Sequence, residues 1–337
     1  MPVSLKAAIP AILLWERGTR KEFRVNGPMH MPLVIYDPMA ASESVVTIVG
    51  ALYIVLSSIF FVLNLILFVI MFKNSEYQTA TYRIIRYICL ACMIQLTIFM
   101  IGGVMTLTDS TFEDHLNKIF GAILQSAWFL YLGLSFSLAV DRLLCFVIIS
   151  PKKCSVVSAL VLAASFLVAL IYLVAFLIPG FGFGYCCTHQ LLHWFYMVEP
   201  GADVLKKSEV IVDFVILSLV LVFYCTVFFF LMKMRKKNLK NNVNTQSFKM
   251  ELRILVIAIV SFVYEATYLL WFFWGSNFLA DSSYRHIVTT LLWIVECGQF
   301  ALSTVTINSS VRRRVRTLLT STTTTVTTVT RLRSSRI

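Results

Sequence analysis

Few side chains in this sequence can do chemistry, and those inside apolar runs are mostly acids. In SLAVDRLLCFVIISPKK, residues 137–153, Asp141 and Arg142 sit side by side within an apolar stretch. A guanidinium in lipid is costly, so a chain keeps one only where it faces protein or water, and Arg142 is a functional candidate from the outset. Its five donors form a rigid fork that binds a carboxylate through paired hydrogen bonds. Two further acids, Glu265 in FVYEATY and Glu296 in IVECGQF, fall in the middle of apolar runs. A carboxyl held away from water is either protonated, and then a hydrogen-bond donor, or matched by a cation. Three readings stay open for this pair: ligand recognition, a hydrogen bond between helices, and an ion site.

Other reactive residues form no site. CCTHQLLH, residues 186–193, holds two thiols and two imidazoles. The spacing of His189 and His193 would suit a metal on one helical face, but no supporting shell accompanies it, and the segment reads as a solvated loop. His30, His115, His189, His193 and His286 all lie outside the apolar runs or at their ends, and no nucleophile stands beside a base. No catalytic residue, metal or cofactor is expected. Cys89, Cys92, Cys145, Cys154, Cys225 and Cys297 lie in or beside apolar segments and read as small packing residues.

The elements that position these residues follow from composition. Of 337 residues, 58% are hydrophobic and only 14% charged, too few ionic groups to cover a soluble domain of this length. The chain reads as an all-α membrane protein. Apolar runs of about 20 residues, enough to cross a hydrocarbon core, are predicted at Val45–Met71, Ile84–Leu107, Ile119–Ile149, Val156–Ile178, Glu209–Met232, Leu252–Trp274 and Ile287–Ile307. A net charge of +12 would suit nucleic acid only as a face on a folded soluble surface. Here 20 of the 29 Lys and Arg residues collect in segments 72–86, 141–155, 233–253 and 308–337, which the positive-inside rule makes cytoplasmic. The N-terminus is then extracellular and the C-terminus cytoplasmic. All eight prolines fall outside the span interiors, so the helices are expected to be little kinked. No pair of Gly/Pro-broken spans marks a transporter site. Within the N-terminal arm, AAIPAILLWERGTRKEF is too short to span, and its basic cluster follows the apolar patch, the reverse of a secretory leader.

Seven spans, an outside N-terminus and SLAVDRLLCF at the inner end of span three together resemble the rhodopsin-like G-protein-coupled receptors. Asp141, Arg142 and Leu143 match the Asp/Glu-Arg-Tyr triplet of that class, with Leu in place of Tyr. Asn64 in span one, Tyr224 in span five and Asn308 before Arg312 resemble its other switch positions. The departures are as specific: span two carries Gln95 but no aspartate, span four has no Trp, and FALSTVTIN stands where the class has Asn-Pro-x-x-Tyr. No cysteine near the outer end of span three is available to pair with Cys186 or Cys187. The Asp-Arg pair kept with most prolines lost is most similar to the nematode serpentine chemoreceptors, over about residues 45–318. That resemblance implies a seven-transmembrane bundle of rhodopsin type, a small odorant-like ligand, a heterotrimeric G protein, and a place in the plasma membrane or a sensory-neuron cilium.

Within that frame, Arg142 stands at the inner mouth of the bundle. Asp141 points about 100° away around the helix, which leaves room for a second partner, and Glu251 in FKMELRILV lies at the same depth. An Arg142–Glu251 latch between spans three and six is therefore expected to hold the closed state, with agonist separating the two spans. Ligand contacts belong to the outer half. Positions 17 or 18 residues before Arg142, about 25 Å higher, select Leu124 and Gln125, with Trp128 about one turn nearer Arg142. Span five adds Asp213, span six Glu265, Tyr268 and Trp271, and span seven Glu296 and Gln299.

Four regions result: an extracellular arm at 1–44, the bundle at 45–307, a surface helix at 308–319 and a disordered tail at 320–337. In the third, Val311, Val315, Leu318 and Leu319 share one face opposite arginines, which reads as an amphipathic helix on anionic lipid. The tail, TSTTTTVTTVTRLRSSR, is hydroxyl-rich; phosphate added there by a receptor kinase would suit an arrestin-like partner. The competing reading, a transporter or channel subunit, needs a continuous polar lining that these scattered charges do not form.

Overall fold

The apolar runs fold as seven long α-helices: α1 (Glu43–Lys73), α2 (Ala80–Thr108), α3 (Asp114–Val147), α4 (Pro151–Leu177), α5 (Pro200–Asn241), α6 (Thr245–Trp274) and α7 (Tyr284–Ile307). All seven are long and apolar enough to cross a membrane. The computed structural model describes residues 43–74, 77–147, 151–186, 192–241, 245–275 and 284–317, without the side chains of 146–147, 151–153, 234–241 and 245–251. The expected N-terminal arm and hydroxyl-rich tail thus lie outside the described residues, save the first turn of α1.

Several helices begin earlier than their apolar runs. The fifth starts at Pro200, not Glu209, because proline presets the backbone angle of a first helical residue and its missing N–H would be unpaired there anyway. Asp203, Lys206 and Lys207 lower the hydropathy of those turns without opposing helix. Likewise α3 starts at Asp114, an acid favoured at the positive end of the helix dipole.

Burial separates central from peripheral helices. In the most apolar stretch of α3, 72% of residues are buried, against 17% in α4. Leu160, Leu167 and Ile171 of α4 and Ile211, Val215 and Phe229 of α5 are each more than half exposed, an apolar belt suited to hydrocarbon. Helices α1 and α2 meet at glycines. A Cβ on Gly103 would stand 2.9 Å from the Gly50 carbonyl oxygen, so the two backbones approach as small residues allow in membrane bundles.

Between α4 and α5 the chain forms a hairpin, β1 (Phe183–Cys186) and β2 (His193–Tyr196), antiparallel, with Phe183 opposite Tyr196 and Cys186 opposite His193. Of the segment expected to be a solvated loop, Cys186 and His193 thus lie on paired strands, while residues 187–191 lie outside the described residues. Phe183, Tyr185 and Trp194 are buried, and His193 sits on a strand, so its spacing from His189 has no helical meaning. Cys187 and His189 lie outside the described residues. The hairpin backbone rests on α3 at Gly121, where any Cβ would collide with the Phe183 carbonyl. The Asn117 amide completes the seat, donating to the Tyr185 carbonyl at 2.9 Å and accepting from its N–H at 2.7 Å. Tyr53 donates to the Leu192 carbonyl at 3.0 Å. The hairpin therefore covers one end of the bundle, and Arg142 lies toward the other.

At that other end Asn308 opens a short helix, α8 (residues 309–317). Its Oδ1 accepts the N–H groups of Ser310 at 3.1 Å and Val311 at 3.4 Å, an N-cap. Val311 is fully enclosed in the bundle core and Val315 packs against it. Two residues of the apolar face, Val311 and Val315, are thus turned onto the bundle, while Arg312, Arg313 and Arg316 stay exposed. Leu318 and Leu319 lie outside the described residues.

Candidate functional site

At the Arg142 end, Asp141 is the hub of a closed network. Its Oδ2 accepts from Thr81 of α2 at 2.7 Å and from Arg142 Nη2 at 2.8 Å, and its Oδ1 accepts from Ser158 of α4 at 2.9 Å. Arg142 also donates to Thr81. Asp141 and Arg142 are 2% and 5% exposed, so a carboxylate and a guanidinium share one buried shell, each meeting the other's charge. This overturns the expectation that Asp141 points away from Arg142. A helical wheel fixes where a Cβ points, but the arginine stem is long enough to bring its fork back to a neighbour. The side chain of Glu251 lies outside the described residues; among those described, Asp141 and Thr81 accept from Arg142.

The other switch candidates link helices. Asn64 of α1 donates to the carbonyls of Phe60 and, across to α7, Cys297, at 2.9 and 3.0 Å. Tyr224 of α5 is buried in an apolar cluster with Ala139, Val220, Val227, Leu231, Leu255 and Ala258, which seals α3, α5 and α6 together toward the Arg142 end. Arg253 of α6 donates to Ser309 of α8 at 2.9 Å.

Toward the hairpin end, the side chains named from α3, α5, α6 and α7 form a row. Gln125 donates through Nε2 to Glu209 Oε1 at 2.5 Å and to the Tyr196 hydroxyl at 3.3 Å, and Tyr196 donates to Glu209 Oε2. One turn along α5, Asp213 is fully buried, with no hydrogen-bond partner of normal geometry for either oxygen; the Trp128 indole approaches it. Trp128 stacks on Tyr131 at 5.7 Å and meets the edges of Tyr268 at 5.5 Å and Trp293 at 5.6 Å. Tyr131 then donates to Glu296 Oε1 at 2.7 Å, joining α3 to α7. Glu296 thus takes part in an interhelical hydrogen bond through Oε1, while its Oε2 has no partner. Glu265 instead borders a cavity of about 10 Å³, shared with Ser135, Tyr224 and Ser261, room for about one water.

Three named residues have other surroundings. Leu124 is fully buried in the apolar core. Trp271 ties α6 to α7, its indole donating to Thr289 at 3.1 Å. Gln299 accepts from Ser303 within α7 at 3.1 Å.

The row also contains residues that the sequence left unnamed: Glu209, Tyr196, Tyr131 and Trp293, the last donating to Gln95 Oε1 at 2.9 Å. Glu209 was hidden as the supposed edge of span five. Tyr131 follows Trp128 by one helical step, and that spacing could have identified it.

A bundle of seven membrane-length helices, hairpin-covered at one end and carrying a buried Asp-Arg pair toward the other on its central helix, is the architecture of a seven-transmembrane receptor. Over residues 35–328 the chain matches the family of serpentine type 7TM GPCR chemoreceptors, Srt, and it belongs to that family. Its fold is similar to that in the crystal structure of squid rhodopsin, with a TM-score of 0.65 over 84% of this chain and 89% of that one. At 12% identity this likeness concerns the fold alone. No curated protein matches the sequence. The chain is a multi-pass membrane protein and a chemosensory G-protein-coupled receptor.

Proposed function

We propose that the hairpin end is extracellular and that a small molecule enters the row between α3, α5, α6 and α7 there. Its binding separates α6 from α3 at the Arg142 end and admits a heterotrimeric G protein. The observation that carries this reading is the shared helix: α3 bears Gln125, Trp128 and Tyr131 in the row, and Asp141 and Arg142 in the network at its far end. A ligand that favours one packing of α3 and α6 over another shifts the receptor between states by that difference in affinity alone.

Orientation rests on the basic residues, 20 of 29 of which fall in segments 72–86, 141–155, 233–253 and 308–337. Glu251, on the first turns of α6, is the second element of the resting latch. The plasma membrane, in a sensory cilium, is the proposed site of action. The exposed arginines of α8 face anionic lipid, and the hydroxyl-rich tail takes phosphate from a receptor kinase to recruit an arrestin-like partner.

Nucleotide exchange on a purified G protein, catalysed by the reconstituted full chain, tests the reading. Glu251→Gln is expected to raise basal exchange at equal receptor density. Absence of exchange from well-folded protein, with any solute flux across the vesicle in its place, would favour a transporter.

A further inference from the structure

Four carboxyls, Glu209 and Asp213 on α5, Glu265 on α6 and Glu296 on α7, lie inside the bundle, each at most 3% exposed. Glu209 stands close enough to Asp213, Asp213 to Glu265, and Glu265 to Glu296 for each charge to act on the next. Glu209 is the well-supplied member, with donors from Gln125 and Tyr196 and with Lys206 nearby. Beyond it the balance turns to acceptors. Oε2 of Glu296 is buried without a hydrogen-bond partner, and both oxygens of Asp213 are buried without one of normal geometry, the Trp128 indole alone approaching.

A second acceptor belongs to a residue one hydrogen bond from the same row, since Gln125 donates to Glu209, one turn from Asp213 on α5. Gln125 is 1% exposed, and its Oε1 is buried without a partner. Its amide orientation is set by chemistry, because only the NH₂ arm can donate to Glu209. Buried polar atoms in native proteins are nearly always paired, and those that are not call for an explanation. A surplus of buried acceptors beside carboxyls is what a donor-rich cation would satisfy. The walls are aromatic as well: Trp128, Tyr268 and Trp293 pack on one another, Trp128 turns its indole N–H toward Asp213 and Tyr268 lies close to it, and an aromatic ring face attracts positive charge.

We propose that the ligand of this receptor is an organic ammonium ion, its N–H donors going to Asp213 and to Gln125 Oε1 and its charge lying against the Tyr268 ring. This deepens the receptor reading above and rests on it for the location of the ligand. A neutral odorant of the same shape lacks both the charge and the donors, so the site discriminates an amine from the corresponding alcohol.

The test uses the purified full chain in lipid nanodiscs, with thermal unfolding as a binding readout that needs no G protein. Cyclohexylamine and 2-phenylethylamine are compared with cyclohexanol, 2-phenylethanol and sodium chloride. Saturable stabilisation by an amine, absent with its alcohol, is expected. Asp213→Asn should raise the half-saturating concentration about 10- to 100-fold, the loss of one charge-assisted contact. Gln125→Leu should raise it by a smaller factor, and it serves as the second variant should Asp213→Asn not fold. Equal effects of alcohol and amine, no effect of any amine, or amine binding unchanged in both variants overturns the proposal. So does a shift produced by sodium chloride alone at matched ionic strength, which would mark an inorganic ion site. Nucleotide exchange is measured in parallel. Exchange without amine binding removes this proposal and leaves the receptor reading, whereas amine binding that never alters exchange leaves the site and removes the receptor reading.

Discussion

The two polar regions of this bundle use the same side chain to opposite ends. Asp141 receives Thr81, Ser158 and a guanidinium, whereas Asp213, equally buried, receives no hydrogen bond of normal geometry. A carboxylate taken out of water costs several kcal/mol unless it is paired and hydrogen-bonded. The first region meets that cost from within the fold and so ties α2, α3 and α4 together. The second leaves it unmet, which is how a binding site differs from a structural tie. What separates them is the supply of donors, since the Arg142 end brings a guanidinium to its acid, whereas the cation of the hairpin end, Lys206, stands by Glu209 and not by Asp213.

The sharpest way to break this contrast is to remove each carboxylate. Asp141→Ala removes the carboxylate that is hydrogen-bonded to Arg142, and breaking a buried pair from one side costs about 3–5 kcal/mol. A large fall in the thermal midpoint, or a failure to accumulate folded receptor, is expected. Asp213→Asn removes a charge that nothing in the fold compensates, so the midpoint of the unliganded protein should hold or rise. Equal losses in the two variants would abolish the distinction between tie and site. A smaller effect is expected from Tyr131→Phe, which takes away the hydroxyl on Glu296 Oε1 and leaves that carboxyl with no donor. The cost of an orphaned buried acceptor, about 1–3 kcal/mol, should appear in the unfolding midpoint and vanish in the double variant Tyr131→Phe with Glu296→Leu.

Much of this was legible before any coordinates. Apolar length alone located all seven helices, because a span must be about 20 residues long whatever its neighbours do. Helix ends were less legible: hydropathy reports where lipid is, and α5 begins nine residues before its lipid-facing stretch. Counting rise from Arg142 along α3 reached Gln125 and Trp128, since depth on a straight helix is a local property. Their partners were harder. Tyr196 reaches Glu209 only because a hairpin folds back over α3, and a non-local pairing of two four-residue strands leaves little trace in sequence. The Asp141–Arg142 contact failed for a different reason, as angular position on a helix does not limit where a long side chain ends.

The hairpin offers the finest probe of the comparison, because it carries a titratable group into the covered end. His193 stacks on His286 with ring centroids 3.9 Å apart. Burial, then the His286 ring and Arg285, hold His193 well below the usual imidazole value of 6.5. The opened chain therefore takes up a proton before the closed one does as pH falls. Closure stability from this residue is fully present above the ordinary imidazole value and is lost on acidification below it. Between about pH 7.5 and about pH 5.5, amide hydrogen exchange in β2, corrected for its intrinsic rate, should quicken modestly, while the Asp141 network on α3 keeps its protection. His193→Phe keeps a ring against His286 and removes the proton site, so it should flatten the pH response of β2. An unchanged slope in that variant would assign the response to another group and leave the covered end as indifferent to pH as the Arg142 end.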